Sequence, residues 1–243
     1  MVSASSDYRA IWCSKPALRA VYTDIYKRML AKTVPGSILE IGGGSGNFKA
    51  TVPNAISSDI VMAPWLDLVC DAQRLPFADN SFSNIVMMDV LHHIENPVRA
   101  LTEALRVLRP NGRIIACEPA ITPISGLFYR LMHPEPVDMS ASPLTDGAIT
   151  PGRDPFDSNQ AIPTLLIGRF RDALKRAVPG LDLINVDLFS FLAYPLSGGF
   201  RPWSALQVAI AEYLIEIDWR MRRVFGRVAA FRMLVVYEKQ IVP

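Results

Sequence analysis

The sequence predicts an α/β protein with a mostly parallel sheet and helices on both faces. Two observations carry this. Short apolar runs at 37–41, 55–58, 66–70, 84–88 and 113–118 alternate with helical or turn-rich stretches, and strands that alternate with helices pair in parallel. The first run empties into Gly42-Gly43-Gly44-Ser45-Gly46. A glycine turn at the carboxyl end of a strand is where open α/β sheets bind ligands.

Taken in order, a first helix is expected over 16–32. Ser14 is its candidate cap and Pro16 sits in its first turn, while Leu18, Val21, Tyr22, Ile25, Tyr26 and Met29 recur at helical spacing. Pro35-Gly36 turns the chain into the first strand. A short helix follows the glycines and is cut by Pro53. A helix is expected from Pro97 to Leu108, and Pro110-Asn111-Gly112 turns into the fifth strand. A short amphipathic piece covers Ile124–Met132. Residues 133–162 then read as a loop, because prolines at 134, 136, 143, 151 and 155 interrupt any regular element. Loops of this length are lids, binding loops or disordered segments. Order returns with a helix over 163–177, a strand near 183–191, a helix from Trp203 to about Arg223 and a last strand near 231–238.

The glycines are spaced G-x-G-x-G. The dinucleotide fingerprint G-x-G-x-x-G needs a glycine at 47, and the chain has Asn47. Gly42, Gly44 and Gly46 allow positive φ and close approach of a ligand. Glu40 lies inside the preceding apolar strand, where a charge must be compensated. Nineteen positions on (59 − 40) comes Asp59, an acid able to accept hydrogen bonds from ribose hydroxyls. Twelve further (71 − 59), Asp71 opens D-A-Q-R-L-P-F, and Asp89 then ends the fourth apolar run ahead of V-L-H-H-I.

These segments, E-I-G-G-G-S-G, D-A-Q-R-L-P-F, V-L-H-H-I and R-V-L-R-P-N-G, stand in order between about Ser37 and Glu118. That stretch resembles the class I S-adenosylmethionine-dependent methyltransferases, and most of all the branch with quinone-biosynthesis and small-molecule enzymes. The resemblance implies one domain over 1–243 with a Rossmann-like, seven-stranded, mostly parallel sheet whose last strand is antiparallel. A proline-rich lid or insertion would fall at about 119–162. It implies S-adenosylmethionine as cofactor. Glu40 would order the glycine turn and the methionine end of the cofactor, Asp59 the ribose, and Asp71 with the Ala72 N–H the adenine; Asp89 would touch the cofactor or cap a helix. Two features depart from the pattern: only about seven residues, 60–66, separate strands two and three, and the helix after the glycines is short.

A sulfonium methyl is already activated, so alignment and desolvation do most of the chemistry. A base is needed only for a weakly acidic acceptor such as a hydroxyl. His92 and His93 are the candidates. As adjacent residues they are expected to point in different directions, with one packed or capping. His133 opens the proline-rich loop and reads as an exposed loop residue, and Tyr194 is a candidate for the acceptor pocket or an ordinary loop residue. No metal site is expected.

Net charge is +2, which argues against nucleic acid. No N-P-P-[YF] follows the fourth strand and no Pro-Cys pair occurs, against DNA amino-methylation and cytosine C5-methylation. Cys13, Cys70 and Cys117 are odd in number and widely spaced, suiting a reduced cytoplasmic protein. Cys70 and Cys117 read as core. No signal peptide and no membrane span are expected. Half the residues are apolar. With apolar segments at 124–132 and 189–200, this favours a small or lipid-like acceptor; oxygen is the expected methylated atom. Alternatives are carbon methylation of a quinone-like ring, or a non-catalytic cofactor-binding regulator. An NAD oxidoreductase is a distant third. Arg220, Arg222, Arg223, Arg227 and Arg232 read as a solvated helix end, or as a contact for a membrane surface or an anionic substrate, and self-association is left open.

Overall fold

The computed structural model describes residues 2–240. Its strands are β1 (Ile38–Ile41), β2 (Ile56–Asp59), β3 (Leu68–Val69), β4 (Phe82–Met88), β5 (Leu108–Pro119), β6 (Leu181–Phe189) and β7 (Arg232–Lys239). They form one seven-stranded sheet in the order β3-β2-β1-β4-β5-β7-β6. The first five pair in parallel, and β7 runs antiparallel between β5 and β6. The chain leaves β1 toward β2 on one side and reaches β4 on the other, which makes the β1/β4 edge the point where the strand order reverses.

Period-two alternation explains how both sheet faces are buried. On β4, β5 and β7, Ile85, Met87, Ile114, Ala116, Met233, Val235 and Tyr237 turn to one face and pack against α4 (Pro97–Val107). Their neighbours Val86, Ile115, Cys117, Leu234 and Val236 turn to the other, against α2 (Pro16–Leu30). The central strands are therefore apolar at nearly every position. In the chain order, α3 (Asn47–Thr51) follows the glycine turn and α5 (Pro123–Met132) follows β5. Helices α6 (Ile162–Ile167), α7 (Arg171–Ala177), α8 (Ala193–Ser197) and α9 (Val208–Ala229) complete the covering layers.

Several expectations need correction. A further helix, α1 (Val2–Ser14), precedes the expected first one. Its weak amphipathicity hid it. Ser14 does not cap α2: Lys15 is the N-cap, without a side-chain bond, and the Ser14 hydroxyl donates to the Ile11 carbonyl. The expected helix over 163–177 breaks into α6 and α7 at Gly168. The last helix is shifted toward β7, because Trp203–Gln207 stay outside it. Cys117 is buried as expected, but Cys70 is only half-buried. Among the described residues, no helix is long and apolar enough to cross a membrane.

Candidate active site

A cavity of about 360 Å³ opens at the carboxyl ends of β1, β2 and β4. Its first half is the glycine turn. Gly42, Gly44 and Gly46 have φ of 78°, 44° and 76°. The N–H groups of Gly42 and Gly43 both donate to the Ser58 carbonyl, so the turn is tied to the end of β2. A Cβ on Gly46 would lie 2.4 Å from the Trp65 ring, and the Trp65 indole N–H donates to the Gly44 carbonyl at 2.8 Å. The short segment between β2 and β3 thus buttresses the turn with one indole where the family pattern has a helix. From α1, the Arg9 guanidinium lies over that indole, 4.5 Å from its centroid.

The acids named from the sequence converge here. Glu40 is buried and accepts from the Ser57 hydroxyl. Burial pushes its carboxyl up to about 7 despite that bond. Asp59 lines the cavity at the end of β2. Its two oxygens accept the backbone N–H groups of Gly44 (2.8 Å) and Val61 (2.9 Å). Asp71 accepts the Gln73 N–H at 2.8 Å, a turn-forming bond, and Asp71 and Ala72 both line the cavity. Asp89 also lines it, but it caps no helix: it has φ of 58° and pairs with Arg232 at 2.6 Å.

The second half is built around the histidines. His92 and His93 occupy a single 3-10 turn, Leu91–His93, directly after β4. They do not point apart. Both line the cavity, and their rings stand 4.2 Å apart at 40°. His92 Nδ1 lies 2.7 Å from a carboxylate oxygen of Glu118, at the end of β5. The other Glu118 oxygen accepts the N–H groups of Val90 and Leu91, so the whole turn hangs from this one buried acid. The second nitrogen of His92 lies 3.4 Å from Glu135. Burial alone would lower the His92 pKa, but the two carboxylates outweigh it and hold it at about 9. Burial would likewise raise Glu135, yet His92 and its neighbours hold it at about 2. His93 is lowered by burial and by the charge of His92, and its Nδ1 is buried without a partner. His133 is half-buried against Tyr129, not exposed, and accepts the Glu135 N–H on Nδ1.

The loop 133–162 roofs this half. Asn159 N–H donates to the His92 carbonyl and Arg153 to the His93 carbonyl, at 2.9 and 2.8 Å. Tyr194, Tyr22 and Phe200 form an aromatic wall beside Arg232. The segment 189–200 therefore contributes to the cavity, but α5 does not. None of its residues lines the cavity, and Ile124, Leu127, Leu131 and Met132 are exposed.

Sequence reasoning missed Glu118, Glu135 and Arg232 as members of the site. Glu118 carried a usable signal, the same one that singled out Glu40: an acid inside an apolar strand. Arg232 was grouped with the helix-end arginines, although it opens an apolar strand. Glu135 sits in a proline-rich loop and carried no local signal.

The sheet order, the glycine turn after β1 and the acids at the ends of the next strands define the class I S-adenosylmethionine-dependent methyltransferase fold. Residues 39–116 match the protein family described as "Methyltransferase domain", so this stretch, which carries the glycine turn and the acids after it, is similar to that domain. Among curated proteins it is similar to the ubiquinone/menaquinone biosynthesis C-methyltransferase UbiE of Roseobacter denitrificans, at 34% identity over 37% of this chain and 44% of that one. It is also similar to the demethylmenaquinone methyltransferase of Renibacterium salmoninarum, at 31% identity over 35% and 42%. The chain spans less than half the length of either relative. A solved S-adenosylmethionine-dependent methyltransferase from Thermotoga maritima shares the fold over 92% of both chains, with 19% identity and a TM-score of 0.60.

Proposed function

We propose that this chain transfers the methyl group of S-adenosylmethionine to the oxygen of a small or lipid-like acceptor. One observation carries the reading: a single cavity joins the glycine turn and its acids to the histidine cluster. The donor would lie on the turn, with Glu40 near its methionine end, Asp59 at the ribose, and Asp71 with the Ala72 N–H at the adenine. Asp89 borders the donor and, through Arg232, the acceptor.

The acceptor would sit between Tyr194, Phe200 and the histidines. Its hydroxyl oxygen attacks the methyl carbon in line. A C–O bond forms, the C–S bond breaks, and its electron pair stays on sulfur, giving S-adenosylhomocysteine. His92 and His93 are the groups proposed to activate that hydroxyl. The roof over the second half excludes water from the reacting oxygen. A cytoplasmic location with peripheral membrane contact fits a lipid-like acceptor, and nucleic acid is no part of this reading.

A second reading is carbon methylation of a quinone-like ring. The similarity of part of the chain to quinone C-methyltransferases favours it. Both readings need the same donor. Calorimetry should detect S-adenosylhomocysteine and no NAD, and binding of NAD without S-adenosylhomocysteine would sink both. Transfer of labelled methyl groups to phenolic lipids or to demethylated quinones then separates them by the bond that carries the label.

A further inference from the structure

The histidine cluster has the geometry of a metal centre. A nitrogen of His92, a nitrogen of His93 and a carboxylate oxygen of Glu135 lie within 4.8 Å of one another. The side chains come from the turn after β4 and from the roof loop, and all three line the cavity.

Two distances separate this arrangement from an ordinary hydrogen-bonded chain. His92 Nδ1 to Glu118 is 2.7 Å, a normal charge-assisted bond. His92 Nε2 to Glu135 is 3.4 Å, too long for one. Two ligands held at 2.0–2.1 Å from one tetrahedral cation stand about 3.4 Å apart. The wider gap is therefore the spacing of two ligands around a shared ion.

The surroundings agree. Glu118 is buried, and its second oxygen is saturated by two backbone N–H groups. It fixes one proton of His92 on Nδ1, so that a cation would displace the proton on Nε2 and take up its lone pair. A carboxylate behind a ligating imidazole is the usual support for such a ligand. Two buried acceptor atoms beside the gap have no partner, Nδ1 of His93 and Oε1 of Gln160. Gln160 is only 3% exposed, and its amide nitrogen donates to Glu135. An unpaired buried acceptor is costly, and here the unpaired atoms belong to one member of the cluster and to the residue bonded to another.

The geometry points to a divalent-cation site formed by His92, His93 and Glu135, with Glu118 as the positioning residue. Two imidazoles and one carboxylate suit a first-row cation such as Zn²⁺, and three protein ligands leave a coordination position open. That position would serve the acceptor half. Its use there rests on the methyltransferase reading. The ion would bind the acceptor hydroxyl and lower its pKa. The O–H proton would leave to solvent, and the oxygen would attack the methyl carbon with no change in the metal's oxidation state.

The test uses the untagged full chain, stripped with chelator and titrated with Co²⁺, followed by visible absorption and calorimetry. One Co²⁺ per chain should bind, with ligand-field bands that Zn²⁺ displaces. Glu135→Gln and His93→Ala should each weaken binding by two orders of magnitude or more. Glu118→Gln should cost about 10–100-fold through His92, with circular dichroism confirming that each variant is folded. Absence of saturable Co²⁺ binding, or equal affinity in Glu135→Gln, overturns the site. S-adenosylhomocysteine binding, measured in parallel on the wild type, keeps the two readings apart: intact donor binding without a metal removes the cation site only.

Discussion

Arg232 and Asp89 meet at 2.6 Å in the lining of the cavity, joining the first residue of β7 to the residue that follows β4. The guanidinium is 1% exposed and also lies over the Tyr194 ring, 5.0 Å from its centroid. Asp89 is held at positive φ and accepts from the Tyr22 hydroxyl. The pair compensates a charge that could not otherwise be buried. It also stands between the glycine-turn half of the cavity and the aromatic wall.

Asp89→Asn should therefore destabilise the protein by about 3–5 kcal/mol, the cost of leaving a buried cation unpaired. Arg232→Met should cost less, because Asp89 keeps some solvent exposure. The double variant should fall well short of the sum. Urea unfolding measures all three, and strictly additive losses would show that the two residues are not energetically coupled.

Asp59→Ala should weaken S-adenosylhomocysteine binding by roughly 1–3 kcal/mol, or about 5–150-fold. The substitution removes the proposed ribose acceptor and also frees the Gly44 N–H, which Asp59 now holds at 2.8 Å. Calorimetry on folded variant and wild type checks it. An unchanged dissociation constant would place the ribose elsewhere.

Glu40 gives the protein a pH slope. Its carboxyl is held at about 7 by burial, above an ordinary 4.5. The folded chain binds this proton more tightly than the unfolded one, so the protonated form's stability is complete below about 4.5 and is lost as pH rises through 7. Glu40→Gln should remove that loss, which amounts to at most about 3 kcal/mol, and raise the Tm relative to wild type above pH 7. The cationic donor beside Glu40 should draw the proton off, so binding near pH 6.5 should release protons. Calorimetry in buffers of different ionisation enthalpy detects this, and no buffer dependence would count against the placement.

The loop 133–162 should act as a lid. Limited proteolysis should cut it first in the free protein, and donor plus acceptor should protect it. Its ties to the histidine turn and to Glu95 and Asn96 supply the closed contacts. Equal resistance with and without ligands would mark a rigid insert.

Leu127 and Leu131 on α5 and Val224 and Val228 on α9 are exposed. Helix α5 packs beside α9, and Arg130, Arg220, Arg223 and Arg227 are exposed on the same two helices. Apolar side chains mixed with arginines suit an anionic lipid surface. Leu127→Ser with Leu131→Ser should reduce co-sedimentation with anionic liposomes several-fold and leave donor affinity unchanged. A stable dimer by light scattering, lost in the variant, with no liposome binding in either form, would assign the face to self-association.

Much of this protein is legible in its sequence because the determining signals are local. Strand alternation, glycines that must take positive φ, and an acid ending each of several strands all lie within a few residues of what they determine. The motifs between 37 and 118 carried the family resemblance, the parallel part of the sheet and the donor-site candidates. The tertiary structure decided the rest. Arg232 stands 143 positions from Asp89 (232 − 89), and neither residue's burial is visible without the other. His92 and His93 stack because Glu118, on a different strand, suspends their turn by three bonds. Glu135 joins them from a loop without periodicity. Charges can be buried only where partners from distant segments compensate them. Sequence order records the segments, while the chain's path across the sheet decides which of them meet.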